Sequence, residues 1–327
     1  MSLFQRLLVH SILLAGAFLM CFPFVWMVLT SFKDPKEILQ PDVLIPRERT
    51  YLKVETVYDV QKEIEVRVLS RDRDGVLVRH AAGVLFGREE RVAPERLITR
   101  RFHWQNYSKA WRTGKGATFT DYLINSFLVA TLTTVGNLLT SMLAAFAFAF
   151  LNFPLKTPLF ALLLATMMVP EQVLLAPNFL IIKELGWYNT YSALIVPWTA
   201  GAFGIFLLRQ FFLTIPRDLW EAAVIDGCGR LRFLWQILIP LSIPPLVTVA
   251  IFSFLGTWNA LIWPLVVIDR PELYTIQVGL ASFTSEAGTR WELLMAASSL
   301  SILPLVVLYF LAQRQFVEGI AQTGIKG

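Results

Sequence analysis

Long stretches without Asp, Glu, Lys or Arg alternate along the chain with shorter charged connections. A helix needs about 20 apolar residues to cross the roughly 30 Å hydrocarbon core of a bilayer. The charge-free stretches cover residues 7–32, 122–155, 157–170, 185–208, 233–268 and 293–313. Only 157–170 is short, and it continues through Glu171 and Gln172 into apolar residues 173–182, which places Glu171 near one end of a helix. The pattern predicts an all-α polytopic membrane protein with six transmembrane helices.

The composition agrees with this pattern, because 55% of the 327 residues are hydrophobic. The first apolar stretch follows Arg6, as a secretory signal would. It is longer than the roughly 7–15 residues of a signal core, however, and it lacks a small-x-small cleavage site. Residues 1–32 are therefore predicted to be a retained N-terminal anchor. The net charge of +5 matters less than its distribution, and nucleic acid is not an expected partner.

The distribution of basic residues predicts the orientation. With six spans, both termini share one side with the connections 150–156 and 209–232. That side carries Arg6, Lys156, Arg209, Arg217, Arg230, Arg232, Arg314 and Lys326. The short connections on the other side carry only Lys183, Arg270 and Arg290. By the positive-inside rule, both termini are predicted to be cytoplasmic.

The long connection over residues 33–121 contains the pattern of a small β-sheet. Apolar and polar residues alternate between positions 50 and 97, as they do from Glu63 to Val68, and Asp74 with Gly75 marks a tight turn. We predict an insertion of about four strands over residues 47–101, outside the cytoplasm. Two roles are open for it: decoration of the fold, or docking of a partner outside the membrane.

The connection 209–232 places acidic residues and glycines between two apolar stretches. Pro216 suits the first turn of a helix, and Glu221 then lies near the positive end of the helix dipole. Gly227 tolerates the left-handed backbone that closes a helix, so the helix is predicted to end at Asp226 and Gly227. A second helix is predicted from residue 231 past residue 240 into the membrane.

One face of the first predicted helix is apolar, and it comprises Leu219, Trp220, Ala223 and Val224. The small side chains of Ala222 and Ala223 allow close approach by another surface. On physical grounds alone, the helix is either an amphipathic element lying at the membrane interface or a surface presented to another protein.

Polar and aromatic residues within the spans are candidates for a solute path, since unpaired polarity in lipid is costly. In the fifth span Asn259 and Trp263 are four residues apart and Trp258 adjoins them, a combination that suits a sugar. These residues could equally stabilise helix packing. Glu171 and Gln172 are predicted either to form an outer gate in a broken helix or to mark a simple interfacial helix end.

The sequence offers no catalytic set. His10, His80 and His103 lack the spacing of a metal site, Cys21 and Cys228 are not placed for a disulfide, and no GxxxxGK[ST] phosphate loop occurs. The chain is predicted to be no enzyme and to bind no cofactor.

A motif in the 209–240 region resembles the "EAA" loop of the membrane subunits of binding-protein-dependent ABC importers. The matching residues are Glu221, Ala222, Ala223, Asp226, Gly227, Phe233, Ile237, Pro240, Leu241 and Pro244. Cys228 stands where the family usually has Ala. Further matches are 125–126, 144–148, 185–191 and the tail 313–327, which resemble the carbohydrate-type branch and its six-helix partner of the maltose-type permease pair. Residues 47–101 fall outside this match.

The resemblance implies a permease core over residues 122–327, with a cytoplasmic coupling loop at 209–232 and a C-terminal tail at 314–327. The loop would enter a cleft on an ATPase subunit, Glu221 pairing with a basic residue there and Gly227 allowing the bend. Lys326 and Gly327 would be weaker ATPase contacts. The implied partners are a second homologous permease subunit, two ATPase subunits that bind ATP–Mg, an extracytoplasmic solute-binding protein and the bilayer.

The resemblance further implies a bacterial or archaeal cytoplasmic membrane and a sugar, polyol or glycerol-phosphate solute. Two other classes compete with it. A self-sufficient secondary transporter would be expected to carry inverted repeats and an intramembrane acid. A membrane-embedded glycosyltransferase would need paired carboxylates or a His–Asp set near one membrane face. Neither accounts for the motif around Glu221.

Overall fold

The computed structural model describes residues 3–38, 44–55, 61–72, 75–81, 85–112, 116–285 and 288–324. The chain divides into two compact units. One comprises Met1–Arg112 with Phe283–Leu300, and the other comprises Thr113–Ser282 with Ser301–Gly327.

The first unit combines an apolar helix with a small antiparallel sheet. Its helices are α1 (Leu3–Ser31), α2 (Pro35–Ile38) and α3 (Gln105–Arg112), and its strands are β1 (Arg49–Glu55), β2 (Gln61–Asp72), β3 (Gly75–His80), β4 (Glu89–Val92) and β5 (Leu97–Arg100). The strand order is β4-β3-β2-β1-β5, with all neighbours antiparallel. Asp72 pairs with Gly75, so β2 and β3 form a hairpin at the predicted turn. The sheet has five strands, one more than the sequence predicts.

Ion pairs tie the sheet to the segment that follows α1. The Glu37 side chain is 1% exposed and its Oε1 accepts hydrogen bonds from Arg49 Nε at 3.0 Å and from the Arg47 backbone N at 3.2 Å. Glu65 on β2 contacts both Arg49 and Lys36. Because Glu37 and Arg49 are largely shielded from water, this network is worth more than an exposed pair. It joins the sheet to the residues just after α1.

The second unit is helical. It contains α4 (Phe119–Phe150), α5 (Lys156–Thr166), α6 (Glu171–Glu184), α7 (Tyr191–Ile195), α8 (Ala202–Phe212), α9 (Arg217–Ile225), α10 (Arg230–Phe233), α11 (Ile239–Leu241), α12 (Ile243–Trp258), α13 (Ile262–Val267) and α14 (Ile276–Ala281). A π-helical turn, Leu234–Leu238, joins α10 to α11. The short strands β6 (Thr284–Ser285) and β7 (Gly288–Thr289) belong to the first unit. Helix α15 runs over Trp291–Gly324, and its residues up to Leu300 belong to the first unit and the rest to the second.

Four helical segments are long and apolar enough to cross a membrane: Phe4–Ser31, Phe119–Phe150, Tyr191–Phe212 and Trp291–Leu311. Two bent pairs bring the number to six if each pair counts as one span. Lys156–Thr166 meets Glu171–Glu184 at 101°, and Arg230–Leu241 meets Ile243–Trp258 at 86°. These segments fall on the six predicted stretches.

The sequence prediction of a continuous helix past residue 240 is wrong. The helix predicted from residue 231 through residue 240 into the membrane is bent by 86°, with the break at Ser242. Pro244 and Pro245 lack a backbone N–H, which removes the bonds that would carry the helix across this point. Further along the chain, α15 continues as helix past Gln313 to Gly324.

Helices α4 and α8 cross closely because glycines lie at the crossing. A Cβ built on Gly204 would stand 2.5 Å from Ser141 Oγ and 3.1 Å from both Asn137 Oδ1 and Val249 Cγ1. Small residues let helix backbones approach in a membrane, where packing supplies most of the association energy.

We expect Gly204→Ala to lower the thermal midpoint of the detergent-solubilised protein, because the added methyl group overlaps buried neighbours at a cost of about 1–3 kcal/mol. Gly256→Ala is the matched control. It lies in α12, and beyond its chain neighbours and its own helix backbone no atom of the described residues lies within 4 Å of the added Cβ. It should therefore leave the midpoint unchanged or raise it. Equal midpoints for the two variants would show that the crossing is not tightly packed.

Candidate functional site

Helix α9 ends in the bend that the sequence predicts. Gly227 has φ +77°, and the helix ends at Asp226. The Gly227 N–H donates to Val224 O at 3.0 Å and the Cys228 N–H donates to Ala223 O at 2.8 Å. These two bonds form a Schellman motif, which satisfies the last carbonyls of the helix. Gly227 is therefore required by the backbone rather than by lack of space, since no described atom other than those of its chain neighbours lies within 4 Å of its Cβ position.

The α9 side chains divide into an inner and an outer face. Ala223 is buried and Trp220 is half-buried, whereas Glu221, Ala222 and Ile225 are exposed, Ile225 by 86%. The apolar face predicted from spacing is thus split, because Leu219 (43% exposed) and Val224 (51% exposed) do not share the burial of Trp220 and Ala223. Asp226 and Gly227 are also exposed. The predicted coupling residues form one accessible surface, apart from Ala223.

Four aromatic rings fix α9 to the end of α4. Trp220 packs on Phe233 with ring centroids 4.8 Å apart, and its distances to Phe146 and Phe150 are 5.9 and 6.1 Å. Phe150 and Phe233 are 5.5 Å apart. Tilted and edge-to-face contacts of this kind add about 0.5–1.5 kcal/mol per pair beyond area burial. We call these four residues the aromatic cluster; sequence spacing pointed only to Trp220.

Two basic side chains cap the carbonyl end of α4. Lys156 Nζ donates to Leu151 O at 2.8 Å and to Ala149 O at 3.3 Å. Arg209 Nε donates to Phe148 O at 3.3 Å, and its guanidinium lies 3.9 Å from the Phe160 ring centroid. Cations at a helix C-terminus satisfy its free carbonyls and oppose its dipole. The end of α4 that holds α9 is therefore itself fixed.

A cavity of about 640 Å³ lies within the second unit and is lined by α4, α6 and α12 together with the segments around them. Four of the residues singled out from the sequence line it: Glu171, Gln172, Asn259 and Trp263. The structure thus unites the predicted outer gate with part of the predicted solute path. Glu171 and Gln172 begin α6 directly after the 101° bend.

Trp258 does not line this cavity, and it is separated from Trp263 by a break in the helix. Helix α12 ends at Trp258 with Asn259 as its C-cap, and α13 begins at Ile262. The predicted continuous helix with Asn259 and Trp263 one turn apart is therefore wrong. Trp258 is 2% exposed and stacks on Phe254 with centroids 5.7 Å apart, which favours its packing role.

Asn259 and Trp263 are each held in place. Asn259 Nδ2 donates to Leu255 O at 2.9 Å, and its Oδ1 accepts from Gln277 Nε2 at 3.4 Å. Trp263 Nε1 donates to Ala193 O at 2.9 Å, and its ring meets Trp198 edge-on at 5.8 Å. Trp198 and Trp263 both line the cavity. Packing fixes the positions of these rings, and part of each ring faces the cavity.

Sequence reasoning missed the contribution of α4 to the cavity. Thr133 and Asn137, one helical turn apart, line it from this helix. Among the residues that the structure describes, the buried hydroxyls of Thr133 and Thr275 have no hydrogen-bond partner, and Thr275 lines the cavity from the start of α14. The available signal was a pair of polar residues at helical spacing within an otherwise apolar span.

Several motif residues away from the loop have structural roles. Asn125 Nδ2 donates to the carbonyls of Glu272 and Tyr274, while its Oδ1 accepts from the Tyr191 hydroxyl at 2.6 Å. Ser126 Oγ accepts from the Ile276 backbone N at 2.7 Å. These bonds join the start of α4 to α7 and to the segment before α14, so they organise the fold around the cavity.

Two further sequence predictions concern the C-terminal ATPase contacts and metal binding. Lys326 and Gly327 lie outside the described residues. Within the described ranges there is no group of three or more His, Cys, Asp or Glu side chains that could hold a metal ion.

Residues 121–322 match the sequence profile of the family described as binding-protein-dependent transport system inner membrane component. The chain belongs to this family, and it is a permease subunit of a binding-protein-dependent ABC importer of the carbohydrate type. It is thus a multi-pass inner membrane component with a transport function and not an enzyme, and the two competing classes are set aside. The family membership that the motif around Glu221 predicted is confirmed.

The chain is similar to the sn-glycerol-3-phosphate transport system permease protein UgpE of Yersinia pestis bv. Antiqua, with 38% identity over 236 residues, 71% of this chain and 84% of the relative. It is 31% identical to UgpE of Brucella abortus over 322 residues, 98% of this chain and 97% of the relative. The second match is long enough to include residues 47–101. A bacterial ABC transporter involved in the import of the acidic polysaccharide alginate shares the fold, with TM-score 0.70, 19% identity, and coverage of 97% of this chain and 99% of that one.

Proposed function

We propose that this permease transmits ATP-driven movement from α9 through α4 to the cavity of about 640 Å³. We call this cavity the central cavity. The observation that carries the proposal is the continuity of α4. One end of this 32-residue helix holds the aromatic cluster, and its middle lines the cavity at Thr133 and Asn137. Asn137 and Phe146 are nine residues apart, about 14 Å along the axis of an α-helix.

The outer face of α9 is proposed to dock on an ATPase subunit. Glu221 would pair with a basic residue, Ala222 would allow close approach, and Ile225 would supply an apolar contact. The helix end at Asp226 and Gly227 would set its angle to the following segment. Lys326 and Gly327 remain predicted secondary contacts. ATP–Mg would bind to two such ATPase subunits and not to this chain.

The other proposed partners follow from the helices and their charges. The window of Phe4–Ser31 that qualifies as a span is 0% buried, which suits contact with lipid and with a second, homologous permease subunit. Six spans, counting each bent pair once, would place both termini in the cytoplasm of a bacterium or archaeon by the positive-inside rule. The insertion at 47–101 would then lie outside, where the solute-binding protein docks.

The proposed solute path is the central cavity, with Glu171 and Gln172 at its gate. The bend before α6 puts both residues at a helix start, where a small rotation changes access. Asn259 and Trp263 would contact the solute, whereas Trp258 would act through packing. We propose a solute among sugars, polyols and glycerol phosphates, which the carbohydrate-type motif and the relatives named for sn-glycerol-3-phosphate support.

The proposal is tested by co-expressing the tagged chain with a second permease subunit and ATPase subunits from the same organism, and assaying ATPase activity with loaded binding protein. We expect a stable complex whose ATPase activity rises with binding protein. Glu221→Ala should reduce this stimulation several-fold, since a charged contact at an interface is lost.

Glu184→Ala is the matched control, because it removes an acidic side chain from a helix away from the α9 surface and should leave stimulation unchanged. A chain that purifies alone, with Glu221→Ala behaving as wild type, would refute the role assigned to α9.

A further inference from the structure

Helix α3 packs against the end of the apolar helix α1. Asn106 Nδ2 donates to the backbone carbonyls of Ser31 at 2.8 Å and of Lys33 at 3.0 Å, and the Tyr107 hydroxyl lies 2.8 Å from Ser31 Oγ. Asn106 and Ala110, one helical turn apart, form the buried face of α3. The position of α3 relative to the bilayer is therefore set by the depth at which α1 ends.

The length of α1 places that end among the lipid headgroups. Its apolar segment Phe4–Ser31 has 28 residues, which span about 42 Å as an α-helix. The hydrocarbon core of a bilayer is about 30 Å thick, and the core together with both headgroup layers is about 40–45 Å thick. A span of this length reaches the headgroups at both of its ends. Helix α3, which is fixed to Ser31, is therefore expected at headgroup depth.

The accessible side of α3 carries aromatic rings at helical spacing. Trp104, Tyr107 and Trp111 are three and four residues apart and so share one face, and Trp104 and Trp111 are 69% and 38% exposed. The ring of Phe32, which follows α1, lies 4.5 Å from that of Trp104 and 5.3 Å from that of Tyr107. The apolar surface of α1 thus continues onto α3 through rings of the kind enriched at membrane interfaces.

A basic surface adjoins this aromatic face. Lys109 and Arg112, three residues apart on α3, are both exposed, and the Arg101 guanidinium lies 5.7 Å from the ring centroid of Phe102. Residues 101–112 contain these three cations and no Asp or Glu. A helix with an apolar face and a basic face lies in the plane of the interface, where its cations attract anionic lipids.

We infer that α3, with the residues just before it, is a binding surface for anionic phospholipid in the leaflet at which α1 ends. Trp104 and Trp111 enter the boundary between headgroups and acyl chains, and Lys109 and Arg112 contact the lipid phosphates. The ion pairs described above join the sheet to the residues just after α1. The same surface therefore also holds the sheet next to the bilayer.

Lipid contact is measured by fluorescence on the full-length chain in nanodiscs, with any subunits that co-purify. Cys21→Ala and Cys228→Ala remove the two natural thiols. Ser108→Cys then carries an environment-sensitive label on the exposed side of α3 without removing an aromatic ring. Ser70→Cys is the reference, because Ser70 is exposed on β2 and lies about 17 Å along the strand from Glu65, which contacts the segment after α1.

We expect nitroxide-bearing lipid to quench the label at position 108, and aqueous acrylamide to quench it about fivefold less than the label at position 70. Adding phosphatidylglycerol to phosphatidylcholine nanodiscs should lower acrylamide quenching at position 108 about twofold further. Equal acrylamide quenching at the two positions overturns the inference. A label at position 108 that neither quencher reaches also overturns it, because that result indicates a protein neighbour.

Two double substitutions separate the rings from the charges. Trp104→Ser with Trp111→Ser should restore acrylamide quenching in both kinds of nanodisc, whereas Lys109→Gln with Arg112→Gln should remove only the effect of phosphatidylglycerol. Arg79→Gln, which changes an exposed arginine on β3, is the control and should alter neither result. A full phosphatidylglycerol effect in the variant without Lys109 and Arg112 contradicts the proposed lipid contact. None of these readouts depends on ATPase coupling.

Discussion

Gly227→Val is expected to abolish solute uptake and to remove binding-protein stimulation of the ATPase. Gly227 has φ +77°, where a residue with a Cβ pays about 1–2 kcal/mol and a β-branched residue more. The strain would release both closing bonds of α9, those from Gly227 to Val224 and from Cys228 to Ala223. The outer face of α9 would then no longer meet the ATPase at a fixed angle.

Gly227→Asn separates backbone conformation from side-chain size. Asn tolerates the left-handed region better than other residues, and space is open around the Cβ position. We expect this variant to keep at least half of the stimulated ATPase activity and the valine variant less than a tenth, both measured on complexes purified in equal amount. Equal activity in the two variants would show that the bend has no role in coupling.

Trp220→Ala is expected to uncouple hydrolysis from transport. Removal of a core aromatic side chain lowers the free energy of unfolding by about 3–5 kcal/mol. Because Trp220 is only half-buried, its removal should lower the free energy of unfolding by an amount at or below the low end of this range. The variant loses three ring contacts of the aromatic cluster, whereas Glu221, Ala222 and Ile225 on the outer face are unchanged. We therefore expect the complex to assemble and hydrolyse ATP while uptake per ATP falls about tenfold.

Two variants control for the loss of an aromatic ring in general. Trp220→Phe keeps a ring against Phe233 and should retain most of the uptake. Trp235→Ala removes a tryptophan that is 50% exposed and lies outside the cluster, so coupling should persist. Normal uptake per ATP in Trp220→Ala would contradict transmission through the cluster, and loss of assembly would show that Trp220 supports docking instead.

The segment that forms α9 and its bend was largely predictable because its determinants are local. Pro216, the helix that follows it and the glycine that ends it act within about ten residues, and the structure has α9 over Arg217–Ile225 with its bend at Gly227. The partners of Trp220 were not predictable, since Phe146 and Phe150 are more than 60 residues away in the sequence. An apolar ring within a span gives no sign of which neighbour it meets.

The cavity was predictable only in part, because hydrophobicity identifies a span but not its breaks. The apolar stretch 233–268 contains one sharp bend and one interruption at Asn259, so residues taken as one helical face lie on separate elements. Pro244 and Pro245 signalled the first break. Glu171 and Asn259 nevertheless reached the same cavity, since each was chosen for polarity within an apolar environment.

The continuity of α4 has a mechanical consequence. The spans formed by α5 with α6 and by α10 with α12 are elbows, bent by 101° and 86°, whereas α4 is an uninterrupted rod with both of its ends clamped by hydrogen bonds. A rod hardly shortens under load, while an elbow opens or folds easily. A displacement of α9 would therefore be transmitted along α4 to the cavity with little loss. The two bent spans would accommodate this displacement by changing their bend angles. In this arrangement α4 is the stiff element, and the bends within the two broken spans are the flexible ones.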